Sequence, residues 1–135
     1  MPREENLTGL LADAEAGAFA IGATQGPPLA FGLLRLQIEQ TAQALNAAGI
    51  GRGDRVGIVM PNGTAMAGAF LGVCAAATAC PLNPALREEE FAFYLADLRA
   101  RALLVERGST SVAVAVARRL GVRVLEAVAG EPRLA

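Results

Sequence analysis

Residues 56–86 read VGIVMPNGTAMAGAFLGVCAAATACPLNPAL, a run of 31 positions without a charged side chain between Arg55 and Arg87. The run is punctuated. Residues 56–60 are continuously apolar, the pattern of a strand covered on both faces. Pro61-Asn62-Gly63 breaks the strand, and a helix is expected from Thr64 to about residue 76, with Met66, Phe70, Val73 and Ala77 at helical spacing. A second buried strand is expected over residues 78–82, followed by Pro81-Leu82-Asn83-Pro84. The longest stretch free of Pro, Asn and charge is residues 63–80, and ten of its 18 residues are Ala or Gly. A membrane-spanning helix needs about 20 predominantly apolar residues, so no membrane span is expected.

The alternation continues outward. On the carboxyl side a helix follows, with Glu88, Glu89 and Glu90 in its first turn, where carboxylates favour the macrodipole. Its expected apolar face is Phe91, Tyr94, Leu95 and Leu98. Residues 102–105 read as a third strand, 111–120 as a helix and 122–125 as a fourth strand. On the amino side, Asn6 caps an expected helix over residues 8–16 with Leu10 and Leu11 facing inward. Two short strands are expected at residues 18–21 and 29–31. A helix over residues 33–48 shows an inner face of Leu34, Ile38, Thr41, Ala42 and Leu45 and a wet side of Arg35, Glu39, Gln43 and Asn46. Gly49 is placed as its left-handed cap, with Ile50 as the hydrophobic contact. Strand and helix alternating from Val56 to Leu125 predict an α/β fold: a three-layer sandwich around a mostly parallel sheet with right-handed crossovers. The 135 residues form one domain. Residues 1–28 hold the N-terminal helix and short strand, residues 29–128 the α/β core and residues 129–135 a loose tail.

Composition narrows the chemistry. The net charge is −1, which gives no electrostatic footprint for nucleic acid. All twelve basic residues are Arg, and Lys and His are absent. A histidine general base, a lysine Schiff base and a phosphate-loop lysine are therefore excluded within these residues. Cys74 and Cys80 lie in the uncharged run and are expected to be buried and reduced. Without His or a C-x-x-C spacing they make no metal or disulfide site, which fits a cytoplasmic protein. The start, MPREENLTGLLADAE, mixes both signs of charge and lacks the apolar core of a secretory signal.

Three motifs occur in order: Gly49-Ile50-Gly51-Arg52-Gly53-Asp54-Arg55-Val56, Met60-Pro61-Asn62-Gly63 and Pro81-Leu82-Asn83-Pro84. In this spacing the chain resembles the N-terminal part of the adenylate-forming (AMP-binding) superfamily of acyl-CoA synthetases, luciferases and peptide-synthetase adenylation domains. The resemblance runs from about Leu29 to Val105. Phe31 to Leu34 stands where the family's aromatic-led helix begins, and Phe91 to Asp97 matches its amphipathic helix ending in Asp. Three positions depart from the family's habit: Ala30 replaces Ser or Thr, Ala75-Ala76 replaces Ala-Gly, and Leu98-Arg99 replaces a small residue and Gly. Asn62-Gly63 and Asn83 lean toward acyl-CoA synthetases rather than peptide-synthetase domains.

The resemblance implies that the chain is the N-terminal portion of a several-fold longer ATP-dependent enzyme. That parent would use ATP, Mg and CoA, and these residues alone are expected to be inactive and to hold no cofactor. The family's phosphate-gripping loop, ribose-binding Asp and mobile lysine have no counterpart here. Gly108-Ser109-Thr110-Ser111 reads as an ordinary helix N-cap. Asn83 and Pro84, at the carboxyl end of a parallel strand, are implied candidates for the rim of the CoA site. Arg107, after the next strand, is a candidate for a CoA phosphate. Partners expected on this reading are the rest of the parent enzyme or a second copy in a homodimer. Alternatives are a stand-alone α/β interaction module or a peptide-synthetase adenylation domain; a Rossmann-like binder is disfavoured because no G-x-G-x-x-G follows a strand.

Overall fold

The computed structural model describes residues 6–127; the expected tail at 129–135 lies outside them. The elements run α1 (Leu7–Leu11), β1 (Phe19–Ile21), β2 (Leu29–Ala30), α2 (Phe31–Ala47), β3 (Arg55–Val59), α3 (Thr64–Cys74), β4 (Thr78–Pro81), α4 (Glu88–Asp97), β5 (Ala102–Glu106), α5 (Val112–Arg119) and β6 (Arg123–Ala127). β1 and β2 form a small antiparallel pair. The other four strands make a fully parallel sheet in the order β4-β3-β5-β6.

Period-2 alternation splits the sheet's side chains into two cores. Val56, Ile58, Ala102 and Leu104 pack with Ala69 and Val73 of α3 and Leu45 of α2. Val59, Leu103 and Val105 pack with Phe91 and Leu95 of α4 and with Ala113, Val116 and Ala117 of α5. Two helices therefore cover each face, the expected three-layer sandwich. A third cluster joins Leu34 and Ile38 of α2 to Leu29, with Leu11, Ile21 and Leu71 against it.

Local signals explain several ends. Gly49 adopts φ +78° after α2, and the Ile50 N–H donates to the Leu45 carbonyl at 2.9 Å, burying Ile50 beneath the cap. Asp54 Oδ2 accepts from the Gly51 N–H at 2.9 Å and closes the turn into β3. Ser111 Oγ accepts from Ala113 at the start of α5. Arg99 holds φ +50°, a left-handed position that favours glycine, so the turn after α4 keeps its geometry despite the side chain.

Several expectations need correction. The first helix is five residues long, and residues 10 and 11 project about 100° apart. Only Leu11 reaches the core, while Leu10 is exposed. Tyr94 lies outside the arc of Phe91 and Leu95 and is also exposed. β4 is an edge strand with both ends exposed, not a strand covered on both sides. Cys80 in β4 is accordingly half-buried, and Cys74, the last residue of α3, is exposed; both are free thiols. Partial desolvation still raises both thiol pKa values, so neither is an activated nucleophile.

The two sheet edges differ. The Thr78 and Leu82 N–H groups donate inward to Asp54 and Ile58 of the β3 segment, so the alternate residues Ala79 and Pro81 turn their backbones outward. Pro81 has no N–H to offer there. At the other edge Ala127 accepts from the Arg107 N–H, which turns the backbones of Val124 and Glu126 outward. Among the described residues nothing pairs with them.

Three arginines close helix carboxyl ends whose own last turns carry no basic residue. Arg55 Nη1 donates to the Leu98 carbonyl beyond α4, and Arg123 Nη1 to the Ala48 carbonyl beyond α2. Arg35, expected on the wet side, instead donates Nη1 to the carbonyls of Leu11 (2.9 Å) and Ala14 (2.7 Å), tying α1 to α2. Arg35→Met should keep the stem's packing and lose both bonds, at a cost of about 1–3 kcal/mol. Hydrogen exchange should then quicken in residues 7–16 while β3 and β5 stay protected. Uniform loss of protection would show that Arg35 supports the whole domain rather than α1.

Candidate functional site

The carboxyl ends of β3 and β4 lie side by side because consecutive strands of a β-α-β unit are neighbours here. Their following loops, Pro61-Asn62-Gly63 and Leu82-Asn83-Pro84, wall a cleft of about 360 Å3. Met60, Met66, Pro81 and Leu82 supply its apolar surface, and Asn62, Asn83 and Pro84 its rim. Among the described residues no charged group lines it. α3 starts in this wall: Gly63 is its N-cap and no side chain caps the first turn. Backbone donors at a helix start, without a carboxylate beside them, make a surface that tolerates negative charge.

Asn83 Oδ1 accepts from the Ala85 N–H at 2.9 Å, an Asx turn that rigidifies the loop. Its amide nitrogen makes no hydrogen bond among the described residues. Asn83 and Pro84 are thus brought together as the sequence suggested. Arg107 is not. It follows β5, on the far side of β3, so it stands two strand spacings from Asn83, about 10 Å at ~4.8 Å each. Its side chain is exposed. The strand order reverses between β3 and β5, and Asn62 and Arg107 flank that point.

The acidic first turn of α4 is a solvated face. The Arg87 backbone N–H and then its guanidinium hold Glu90 below the usual carboxylate range, with Oε1 at 3.1 and 3.2 Å from the two donors. Glu88 pairs with Arg119 of α5 at 2.7 Å. Among the described residues no three His, Cys, Asp or Glu side chains converge as a metal site, and no helix is long and apolar enough to cross a membrane.

The sequence motifs and this fold coincide in one family: the match to the AMP-binding enzymes covers residues 12–133. The chain belongs to the AMP-binding enzyme family. Among curated relatives it is similar to "Probable CoA ligase CCL9" of Humulus lupulus, 37% identical over 91 residues, which are 65% of this chain and 17% of that protein. It is also similar to the oxalate–CoA ligase of Saccharomyces cerevisiae, 45% identical over 62 residues, 45% of this chain and 11% of that one. The anthranilate CoA ligase AuaEII, solved with anthranoyl-AMP, shares the fold with a TM-score of 0.79 at 22% identity, over 96% of this chain and 26% of that one. The chain therefore spans about a sixth or less of these curated AMP-binding relatives.

Asn62, Met60 and Met66 were missed as lining residues by sequence reasoning. Two Pro-Asn-containing loops after successive parallel strands were the available signal; pairing them required knowing that β3 and β4 are neighbours.

Proposed function

We propose that the chain is the N-terminal scaffold of an ATP-dependent acyl-CoA synthetase. On this reading a carboxylic acid and ATP give an acyl-adenylate and pyrophosphate, and CoA then displaces AMP to give the acyl-CoA. The observation that carries the reading is the pairing of the Pro61–Gly63 and Leu82–Pro84 loops at one sheet end, in a chain whose family relatives include CoA ligases.

The residues fit the three small molecules unequally. For ATP and Mg the sequence offers no lysine, and among the described residues no three acidic side chains converge as a metal site. A CoA nucleotide is a better match for the cleft. Met60, Met66 and Leu82 offer apolar, polarisable surface to a base. The Asn83 amide can donate to a phosphate or ribose oxygen, and the first turn of α3 can do the same with backbone N–H groups. CoA, when bound, supplies the thiol that accepts the acyl group. These residues would bind and orient one end of it. Arg107, two strands along from Asn83, would meet a different part of the same molecule.

Two measurements test the proposal. The isolated chain should show no acid-dependent ATP–pyrophosphate exchange, and exchange by these residues alone would overturn the scaffold role. In an NMR titration with CoA, the Asn62 and Asn83 amides should shift, and Asn83→Asp should weaken the effect at least about threefold through charge repulsion. Shifts elsewhere, indifferent to that substitution, would remove the cleft from the CoA site.

A further inference from the structure

The cleft between the β3 and β4 loops is apolar within and carries amides at its rim. Met60 is 5% exposed, and Met66 and Leu82 are half-buried beside it. Asn62 and Asn83 also line the cleft, and both are exposed. Their amides are not equivalent. Asn83 Oδ1 already accepts from the Ala85 N–H, so the Asx turn holds that side chain and leaves its amide nitrogen to donate. The Asn62 side chain makes no hydrogen bond among the described residues. Its carbonyl oxygen and its amide nitrogen are both available. Asn62 sits in the short connection between β3 and α3, with Pro61 before it and the N-cap Gly63 after it.

A carboxamide is a planar fork with a donor beside an acceptor. Its complement is a flat edge that carries an acceptor beside a donor. Adenine has such an edge, because the exocyclic N6 amino group donates next to the ring nitrogen N7, and an asparagine amide bonds that pair twice. Rotating the amide by half a turn exchanges its two ends, so the match does not depend on which way the fork was placed. The apolar surface of Met66 and Leu82 suits the face of a flat ring. Asn62 stands in the same cleft as that surface, and it alone of the two amides has both halves of its fork free.

We propose that Asn62 is a specificity residue of this cleft: its side-chain amide reads the amino-bearing edge of the adenine of CoA, while Asn83 holds the ribose or phosphate side. The inference rests on the reading of the cleft as a CoA site and adds which residue recognises the base. A purine whose amino donor is blocked leaves the acceptor half of the Asn62 fork unmatched and binds more weakly.

The test titrates the chain with CoA and with 1,N6-etheno-CoA, in which a two-carbon bridge removes the N6 donor and leaves N7 and the rest of the molecule intact. CoA should bind at least about fivefold more tightly. Asn62→Leu should abolish that preference, so that both compounds bind alike. Asn62 is exposed in a loop, so the thermal melt of the variant should be unchanged. Equal affinities in the parent chain, with amide shifts at Leu82 and Asn83, would overturn the base contact and leave the cleft as the CoA site. A preference that survives Asn62→Leu would also overturn it, since the added bulk of the bridge would then account for the difference. Absence of shifts in the cleft with either compound would overturn both the base contact and the CoA reading.

Discussion

Phe91→Ala is expected to lower the unfolding free energy by about 3–5 kcal/mol, the cost of deleting a large buried side chain and leaving its cavity. Phe91 is completely buried, between β3 and β5 below and α5 beside it, in the core with Val59, Leu103, Val105 and Val116. A domain of this size has about 5–15 kcal/mol in all, so the variant should lose a large part of its urea resistance. Phe93 is the control. It is the same residue type two positions along the same helix and touches no core, so Phe93→Ala should change stability by less than about 0.5 kcal/mol. Urea titrations followed by circular dichroism at low micromolar concentration compare the two. Equal losses would mean that α4 presents a different face to the sheet.

Gly72→Val is expected to cost about 3 kcal/mol, at the upper end for overpacking. A Cβ added at Gly72 would lie 2.6 Å from Thr41 Cβ, 2.7 Å from Cγ2 and 2.9 Å from Oγ1. Thr41 Cβ is held by its own backbone, so the clash is relieved only by separating α2 from α3. Gly68 makes a second close approach one turn earlier, where a Cβ would meet Gln37 Oε1 at 2.6 Å. That atom ends a flexible side chain and can move, so Gly68→Ala should be mild. Gly72→Ala isolates the steric effect: overpacking of about 1–3 kcal/mol works against about 1 kcal/mol of helix propensity. Combining it with Thr41→Ala should recover at least about 1 kcal/mol of coupling. Strict additivity in that double-mutant cycle would show that the two helices do not meet at these positions.

The alternation of apolar runs and turn residues made the strand–helix order legible, because the central parallel strands β3 and β5 are covered on both faces and each helix on one. Gly49 and Ile50 likewise announced a helix end through purely local chemistry. What stayed hidden depends on distant partners. β4 reads like a central strand because Thr78, Ala79 and Cys80 are small and uncharged, yet its burial is set by strand order. Arg35 reads as solvated because its acceptors lie 21 and 24 residues away. Tyr94 joins the apolar face on periodicity alone, but helical geometry sets it about 100° from Leu95, about 60° beyond Phe91 on the far side. The candidate site divides the same way. Asn83 and Pro84 were found because the end of a parallel strand is visible in sequence. Asn62 and the distance to Arg107 follow from which strands sit together.

The unlike edges of the sheet have a further consequence. In the terms of chain polymerisation, the two ends of the four-stranded sheet differ in functionality. Backbone pairing between molecules can start at Val124 and Glu126 of β6, whereas at β4 Pro81 offers no donor. Among the described residues, coupling at β6 would leave the proline-bearing β4 edges at the two outer ends of the joined sheet, where each further addition starts one donor short.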